Sequence, residues 1–554
     1  MSEVESRLKI IPLGGLGEIG KNMMAIRYQE SIVVIDAGLM FPEEELLGID
    51  IVIPDISYLI ENKEKVKAIL LTHGHEDHVG ALPYVLKEIN VPVYGSRLTL
   101  GIVEEKLKEY NLGEVNLQVV RPRDTIRVDS FEIEFIRVSH SIPDAMGIAI
   151  HTPLGILLHT GDIKLDQTPV DGEVVDFRKM AELGEKGVLV MFGDSTNADK
   201  SGFTMSERVV GNTFEDLFGK CEGRIIVTTF ASNVHRIQQV ISTAEKYRRK
   251  VAVVGRSMVN NVRISSQLGY MNIPEGILIE MEDIGKYAAN EIAIVTTGSQ
   301  GEPMSALTRI ATSDHRWVSI EPGDTVIISA SPIPGNEKLV SKTVDLLFRQ
   351  GAEVIYEKSI GVHVSGHAAQ EELKILLNLI KPKYFFPVHG EYRHLMKHAK
   401  LAESLGIPRS RIFVAENGQV IEVGRKKAVI SGKVAAGKVL VDGLGVGDVG
   451  NIVLRDRKQL SQDGIMIVVV TINKDSGEVV AGPDIVSRGF VYVRESEELI
   501  ENAKEKVNEA LEICSKKNVS EWAVIKSQVR EKLGKHLYEK TGRRPMILPI
   551  IVEV

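Results

Sequence analysis

The sequence predicts an α/β fold built from more than one domain, and three observations predict it. Over residues 1–205 short apolar runs recur, and several lead straight into a histidine or an aspartate, as in "KAILLTHG", "GILLHTGD" and "GVLVMFGD". From about residue 206 the rhythm changes, and helical stretches alternate regularly with short apolar strands ("RIIVTTF", "VAVVG", "IAIVTTG", "TVIISA", "EVIYE"). Such alternation marks a parallel, doubly wound α/β layer. After about residue 358 the earlier habit returns in "KYFFPVHGE". The simplest reading is a first α/β core interrupted by an inserted doubly wound domain, with a small α+β domain after it.

The elements follow in order. The first core spans 1–205, with strands "LKIIPL", "SIVVIDAG", "FEIEFIRVSH" and helical patterns "ALPYVLKEI" and "LGIVEEKLKEY" between some of them. The inserted domain spans 206–358, and the first core resumes over 359–427. A glycine-rich stretch, "SGKVAAGKVLVDGLGVGDVG", reads as a linker over 428–450. The C-terminal α+β domain, 451–554, opens with "GIMIVVVTI" and "GEVVAGPDIV" and continues in helices. Ile500, Ala503, Val507, Ala510, Leu511 and Cys514 share one face of the first of these helices. "GGLGEIG" imitates a dinucleotide-binding fingerprint, but the residues after Gly20 read as two short strands instead of the helix that fingerprint requires.

Composition narrows the class. A chain of 554 residues with 44% hydrophobic and 26% charged residues is ordinary globular protein of two to four domains. A net charge of −8 argues against general coating of nucleic acid and leaves a local basic groove open. Two distant cysteines, Cys221 and Cys514, make neither a disulfide framework nor a thiolate metal cage, so a reducing cytoplasm is expected. No secretory signal begins the sequence, and no apolar run reaches the roughly 20 residues that span a bilayer.

The chemistry concentrates in "THGHEDHVG". Imidazole and carboxylate hold borderline divalent metals, zinc above all, and a solvated loop leaving a buried strand has little reason to carry so many. Further ligands are expected at other strand ends: His140 after "FEIEFIRVS", Asp162 after "GILLHTG", His389 after "KYFFPV". His73, His75 and His140 would serve one ion and Asp77, His78 and His389 a second, with Asp162 bridging. His159 is expected to support the Asp162 turn, and Asp36 to support the ligand loop from behind.

This pattern resembles the metallo-β-lactamase superfamily. The inserted domain, with "GDSTNA", "HVSGHA" and "FPVHGE", resembles the β-CASP nucleases within it; "LGGLGEIGKN", "HSIPDA", "TFASNVHR", "TGSQGEPMSAL" and "RRPMILPIIVEV" resemble the ribonuclease J family over essentially the whole chain. The resemblance implies an αββα sandwich carrying the inserted β-CASP domain. It implies a 5′→3′ exoribonuclease that prefers 5′-monophosphate RNA, has additional endonuclease activity and acts in RNA decay and rRNA maturation. Two Zn²⁺ per subunit, with Mn²⁺ or Mg²⁺ substituting in vitro, would support hydroxide attack on the phosphodiester, Asp77 belonging to both the ligand and catalytic sets. Single-stranded RNA is the implied substrate. Homodimers or homotetramers built partly through the C-terminal domain are implied, with a paralogue and other RNA-decay proteins as further partners.

The resemblance also assigns roles. His367 would be the general acid and Asp194 its orienting carboxylate, the lesser alternative for Asp194 being a helix N-cap or turn residue. A pocket for the 5′-phosphate would form from Ser232 and Asn233, at a strand-to-helix turn, and from His363, Val364, Ser365, Gly366 and His367. Arg121, Arg123, Arg249, Lys250 and Arg256 are candidate phosphate-tracking charges, and Gly48, Asp50 and Asp442 a candidate structural Ca²⁺ site. The rival readings are a DNA-directed nuclease of the same branch and, further off, a small-molecule metallo-hydrolase.

Overall fold

A computed structural model describes residues 7–43, 45–298, 305–332, 336–356, 360–473, 478–491, 496–516 and 521–554. Most of the "TGSQGEPMSAL" stretch, and the expected boundary at 358, lie outside these. The chain forms two compact units, Met1–Phe41 with Ile51–Val439, and Pro42–Asp50 with Leu440–Val554.

Two sheets face each other in the first unit. One has eight strands in the order Ala428–Lys433, Gln419–Val423, Leu8–Gly14, Met23–Tyr28, Ser31–Ile35, Val66–Leu70, Val93–Gly95, Leu117–Val119. The other has six, Tyr384–Val388, Val188–Asp194, Gly155–His159, Met146–Thr152, Phe131–Arg137, Thr125–Val128. Period-2 alternation puts Ile10, Ile26, Val33 and Leu70 of the first sheet against Phe135, Ile148, Leu157 and Phe192 of the second in one buried layer. Each outer face is covered by helices: Leu82–Glu88 and Arg97–Glu109 on one, Phe177–Lys186, Gln370–Ile380 and Tyr392–Ser404 on the other. This is an αββα sandwich. After Gly20 come the strands Met23–Tyr28 and Ser31–Ile35, so no dinucleotide-type helix opens there.

The inserted layer is a six-stranded sheet, Leu278–Ile279, Lys250–Val254, Ile292–Thr296, Ile225–Thr228, Thr325–Ile328, Glu353–Ile355, parallel throughout. Both faces are buried under apolar clusters, which is why its strands are nearly continuous in Ile and Val.

In the second unit Ile465–Ile472 pairs antiparallel with Val479–Arg488 and parallel with Met546–Glu553. Helices Glu497–Lys516 and Trp522–Thr541 cover one face of this sheet; Ile500, Ala503, Val507, Ala510, Leu511 and Cys514 are buried there, on the one stripe their spacing traces. The stretch read as a linker differs from expectation. Ala428–Lys433 pairs antiparallel with Gln419–Val423, and short strands Lys438–Asp442 and Gly445–Val446 follow. Gly443, at positive φ, turns the tight hairpin between the last two strands, a use that composition does not distinguish from a loose tether. No described helix is long and apolar enough to cross a membrane.

Candidate metal centre

Loops leaving the strand ends of the two facing sheets converge on one point. The histidine loop follows Val66–Leu70, His140 follows Phe131–Arg137, Asp162 follows Gly155–His159, and His389 follows Tyr384–Val388. Two backbone features let the loops approach. A Cβ on Gly38 would stand 1.6 Å from the Asp77 carbonyl, and one on Gly366 would stand 2.7 Å from the His140 ring. Only glycine fits either place.

The outward nitrogens of two rings are tied down. His78 Nδ1 lies 2.8 Å from Asp36 Oδ2, and His140 Nδ1 lies 2.8 Å from the Gly366 carbonyl. Carboxylate and carbonyl oxygens only accept, so both Nδ1 atoms carry hydrogen and each Nε2 is left facing inward, where it becomes a metal donor once it carries no proton. Asp36 is held in turn by the Thr72 N–H at 2.8 Å and the Thr72 hydroxyl at 2.9 Å.

The inward atoms form two groups sharing Asp162. In the first, His75 Nδ1 lies 3.0 Å from His73 Nε2 and 3.2 Å from His140 Nε2, while Asp162 Oδ2 is 3.7 and 3.6 Å from the latter two atoms. In the second, His78 Nε2 lies 3.5 Å from Asp77 Oδ2 and 3.3 Å from Asp162 Oδ2, and His389 Nε2 lies 3.2 Å from Asp77 Oδ2. Four donors set tetrahedrally about one ion at ~2.0–2.2 Å stand about 3.4 Å apart. Both groups match that spacing, and imidazole with carboxylate is the donor set a divalent transition metal takes. All seven expected ligands, His73, His75, Asp77, His78, His140, Asp162 and His389, are thus brought together.

The electrostatics agree. Burial holds His73 and His140 well below the ordinary histidine range and His75 down to about 4, so all three stand as neutral donors. Burial also opposes charge on His78 and His389, but there the carboxylates win. Asp162, Asp77 and Asp36 raise His78 well above its usual value, and Asp162, Asp194 and Asp77 raise His389 to about 10. Asp77, Asp162 and Asp194 are each depressed, against burial, by histidines around them. The carboxylates therefore draw positive charge into this pocket.

Beside the centre, His367 Nδ1 lies 2.8 Å from Asp194 Oδ2. Burial disfavours its cationic form, but Asp194 and then Asp162 outweigh that and raise its pKa. His159 Nδ1 accepts the Gly161 N–H at 3.0 Å, supporting the turn that carries Asp162. On the inserted side the Asn233 side chain caps helix Val234–Lys246 by accepting the Arg236 N–H at 3.1 Å. Ser232 precedes it, half-buried. Arg236, fully buried, reaches from that helix to His363 Nδ1 at 2.9 Å and to the Val364 carbonyl at 3.5 Å. Ser365 Oγ accepts from Asn197 Nδ2 at 2.8 Å and from the His367 N–H at 3.2 Å.

The other expected residues stand as follows. Arg249 is buried and donates to the carbonyls of Gly223, Ile292 and Cys221 at 2.7, 3.1 and 2.5 Å. Arg123 is paired with Asp176, Arg256 with Glu109, and Lys250 Nζ donates to the Gly276 carbonyl. Arg121 is exposed. Around Gly48, Asp50 and Asp442 a guanidinium already supplies the positive charge. Arg457 pairs with Asp442 and donates to the Leu47 carbonyl at 2.9 Å, a Cβ on Gly48 would stand 2.7 Å from it, and Asp50 Oδ2 accepts the Gly443 N–H at 2.8 Å.

Several site residues gave no sequence signal of their own. Asn22 donates to the Asp77 carbonyl at 3.0 Å and approaches His78 Nε2 at 3.1 Å. Thr196 binds Asp194 Oδ1 through its N–H at 3.0 Å and lies 2.8 Å from His389 Nδ1. Glu207 holds Arg236 through both oxygens at 2.7 and 2.8 Å.

Comparison with known proteins follows this geometry along the chain. Family profiles match at 16–191 (metallo-beta-lactamase superfamily), 222–347 (ribonuclease J, beta-CASP domain), 355–414 (Zn-dependent metallo-hydrolase RNA specificity domain) and 452–554 (ribonuclease J C-terminal domain). Ribonuclease J2 of Bacillus subtilis (strain 168) is 49% identical over 548 residues, covering 99% of each chain. Ribonuclease J 2 of Staphylococcus aureus (strain MRSA252) is 45% identical over 548 residues, covering 99% of this chain and 98% of its own. A crystal structure of a protein of unknown function from Enterococcus faecalis V583 shares the fold, with a TM-score of 0.54 at 17% identity over 76% of this chain and 100% of its own. Identity of this degree along the full length, over a centre whose donors suit a divalent metal, makes the chain a member of the ribonuclease J family and a metal-dependent ribonuclease.

Proposed function

We propose that the chain is a 5′→3′ exoribonuclease that prefers 5′-monophosphorylated single-stranded RNA, cuts internally as well, and works in cytoplasmic RNA decay and rRNA maturation. The observation that carries this reading is the pair of donor groups sharing Asp162, with His367 and Asp194 directly beside them. Two zinc ions are the proposed occupants, the first held by His73, His75, His140 and Asp162, the second by Asp77, His78, His389 and Asp162. When bound, such ions supply a hydroxide nucleophile at neutral pH and neutralise charge on the phosphodiester.

The remaining steps belong to the chain's own groups. Asp194 keeps the hydrogen on His367 Nδ1 and orients the ring. His367 then delivers a proton to the departing 3′-oxygen, so the products are a 5′-phosphate and a 3′-hydroxyl. Ser232, Asn233 and the loop from His363 to His367 form the proposed seat for the terminal phosphate. Arg236, Asn197 and the Thr204 hydroxyl, which donates to the His367 carbonyl at 2.7 Å, hold that loop still. A closed seat of this kind admits a monophosphate and excludes a triphosphate. Homodimers or homotetramers, and assemblies with a paralogue, belong to the same reading.

The test is to incubate the purified protein with end-labelled RNAs bearing 5′-hydroxyl, monophosphate or triphosphate ends, with and without chelator. Stepwise loss from the monophosphorylated end, abolished by chelator, is expected. Cleavage indifferent to the 5′ end, or equal turnover of matched DNA, would overturn it.

A further inference from the structure

A cleft of about 470 Å³ in the C-terminal unit is lined by Gln459, Arg530, Glu531, Lys535, Tyr538 and Arg544 among others. Three cations and one acid face it. They sit on a basic stretch of an acidic protein, since residues 522–545 hold seven Lys or Arg against two acids in a chain of net charge −8. Neither Arg530 nor Arg544 has a carboxylate partner among the described residues, whereas lysines on the same helix do: Lys532 pairs with Glu509 at 3.1 Å, and Lys535 reaches Glu539 only at 4.0 Å. Charges left unpaired beside a cleft are available to an anionic ligand.

The cleft also has a stacking surface. The Arg544 guanidinium carbon lies 4.4 Å from the centre of the Tyr538 ring, and Tyr538 is 47% exposed. Gln459 Nε2 donates to the Arg544 carbonyl at 3.1 Å, fixing the backbone from which that guanidinium projects. Gly534 lies within helix Trp522–Thr541, where glycine is destabilising relative to alanine. Packing does not require it, because a Cβ there would meet only Ile547 Cδ1, at an ordinary 3.5 Å. Gly534 lines the cleft and places no side chain in it.

An aromatic ring stacked with one arginine, beside a second arginine that has no carboxylate partner among the described residues, is the chemistry that grips single-stranded nucleic acid without reading its sequence. We propose that this cleft is a second binding site for single-stranded RNA, taking one base against Tyr538 and Arg544 and the flanking phosphates on Arg530 and Lys535. The proposal rests on the ribonuclease reading and adds to it a holding site separate from the one that reacts. It implies that long RNA is bound more tightly than its 5′ end alone allows.

The test uses the full chain. In a His75→Ala background, which stops turnover, anisotropy should show that Tyr538→Ala with Arg530→Ala and Arg544→Ala weakens binding of a long 5′-monophosphorylated RNA roughly tenfold. The slope of log affinity against log salt should fall by about 0.7 for each phosphate that is no longer neutralised. Tyr538→Phe, which keeps the ring, should retain the affinity. With an intact metal centre the triple variant should raise KM for long RNA, leaving kcat and the turnover of a short oligoribonucleotide unchanged. Unaltered affinity and salt slope would overturn the cleft while leaving the ribonuclease reading intact, whereas a wild-type protein inert on the short substrate would overturn that reading by itself. A fall in sedimentation mass with RNA affinity intact would make the cleft an interface between copies of the chain, and would also overturn the proposal.

Discussion

Replacing His367 with alanine separates proton delivery from everything else the site does. The change should leave the fold unharmed. Asp194 would still accept from the Thr196 N–H at 3.0 Å, the Thr196 hydroxyl at 2.9 Å and the Ile163 N–H at 3.3 Å, so no buried carboxylate is stranded. The His367 carbonyl would still be held by Asn197 at 3.0 Å and Thr204 at 2.7 Å. What disappears is the donor to the leaving oxygen, a contribution of roughly 10²–10⁴ in rate, or about 3–6 kcal/mol of barrier at ~1.4 kcal/mol per decade. The leaving group decides the matter. An RNA 3′-alkoxide needs that proton, whereas the nitrophenolate of an aryl phosphodiester departs without one. His367→Ala should therefore slow RNA cleavage roughly 10³-fold while slowing aryl ester hydrolysis less than about tenfold. His367, Asp194, Asp162 and His389 also form a third set of donors close enough to hold an ion. Equal loss on both substrates, with less bound metal, would show that His367 is a ligand and refute its role as acid.

Further outcomes follow from the same geometry. His75→Ala, which removes the nitrogen central to the first donor group, should abolish RNA cleavage and lower metal content by elemental analysis while the circular dichroism spectrum stays unchanged; full turnover would contradict the assignment. His398 is buried, its Nε2 has no hydrogen-bond partner among the described residues, and burial lowers its pKa from 6.5 to about 4, Asp194 opposing. Between those values the unfolded chain binds the extra proton, so stability is full above pH 6.5 and falls as pH drops towards 4, by roughly 3 kcal/mol. His398→Phe should flatten that acid slope in thermal melts, and an unchanged slope would exclude His398 as its source. Arg236→Met strands buried Glu207 and should cost about 3–5 kcal/mol, read as an earlier urea transition, and adding Glu207→Gln should restore part of the loss.

How much was legible depends on whether a residue's partner can be inferred locally. His73, His75, Asp77 and His78 lie on one short loop after a buried strand, so their number and spacing already state a chemistry. His140, Asp162 and His389 could be found because each follows an apolar strand, and strand ends of facing sheets meet. Asn22 and Thr196 are ordinary polar residues until the chain closes; only then does Asn22 meet Asp77 and Thr196 meet His389. Arg249 shows the reverse error. Its charge suggested phosphate, but burial behind three carbonyls makes it a staple, and sequence does not report burial for one arginine among many. The glycine-rich stretch after 427 misled in the same way, because the hairpin it enters, Gln419–Val423 with Ala428–Lys433, is specified by pairing and not by composition.

The centre also bears on how an acidic protein holds RNA at all. Asp36, Asp77, Asp162 and Asp194 bring four carboxylates to one small volume, three of them buried. Without metal, positive charge comes from protons on His78 and His389, both raised by these acids against burial. Two divalent ions would displace those protons and bring four positive charges where there were two, so the loaded pocket is more positive than the stripped one by about two charges. A phosphodiester should therefore bind the stripped protein more weakly, quite apart from any loss of turnover. The His367→Ala protein, slow enough to hold its substrate, is suited to measuring this. Its affinity for 5′-monophosphorylated RNA should fall on chelation and return when zinc is restored, and the fall should be larger at low salt, where screening is weaker. An affinity indifferent to chelator would mean that the RNA is held wholly outside the carboxylate cluster, and that the field of the metal centre has no part in binding.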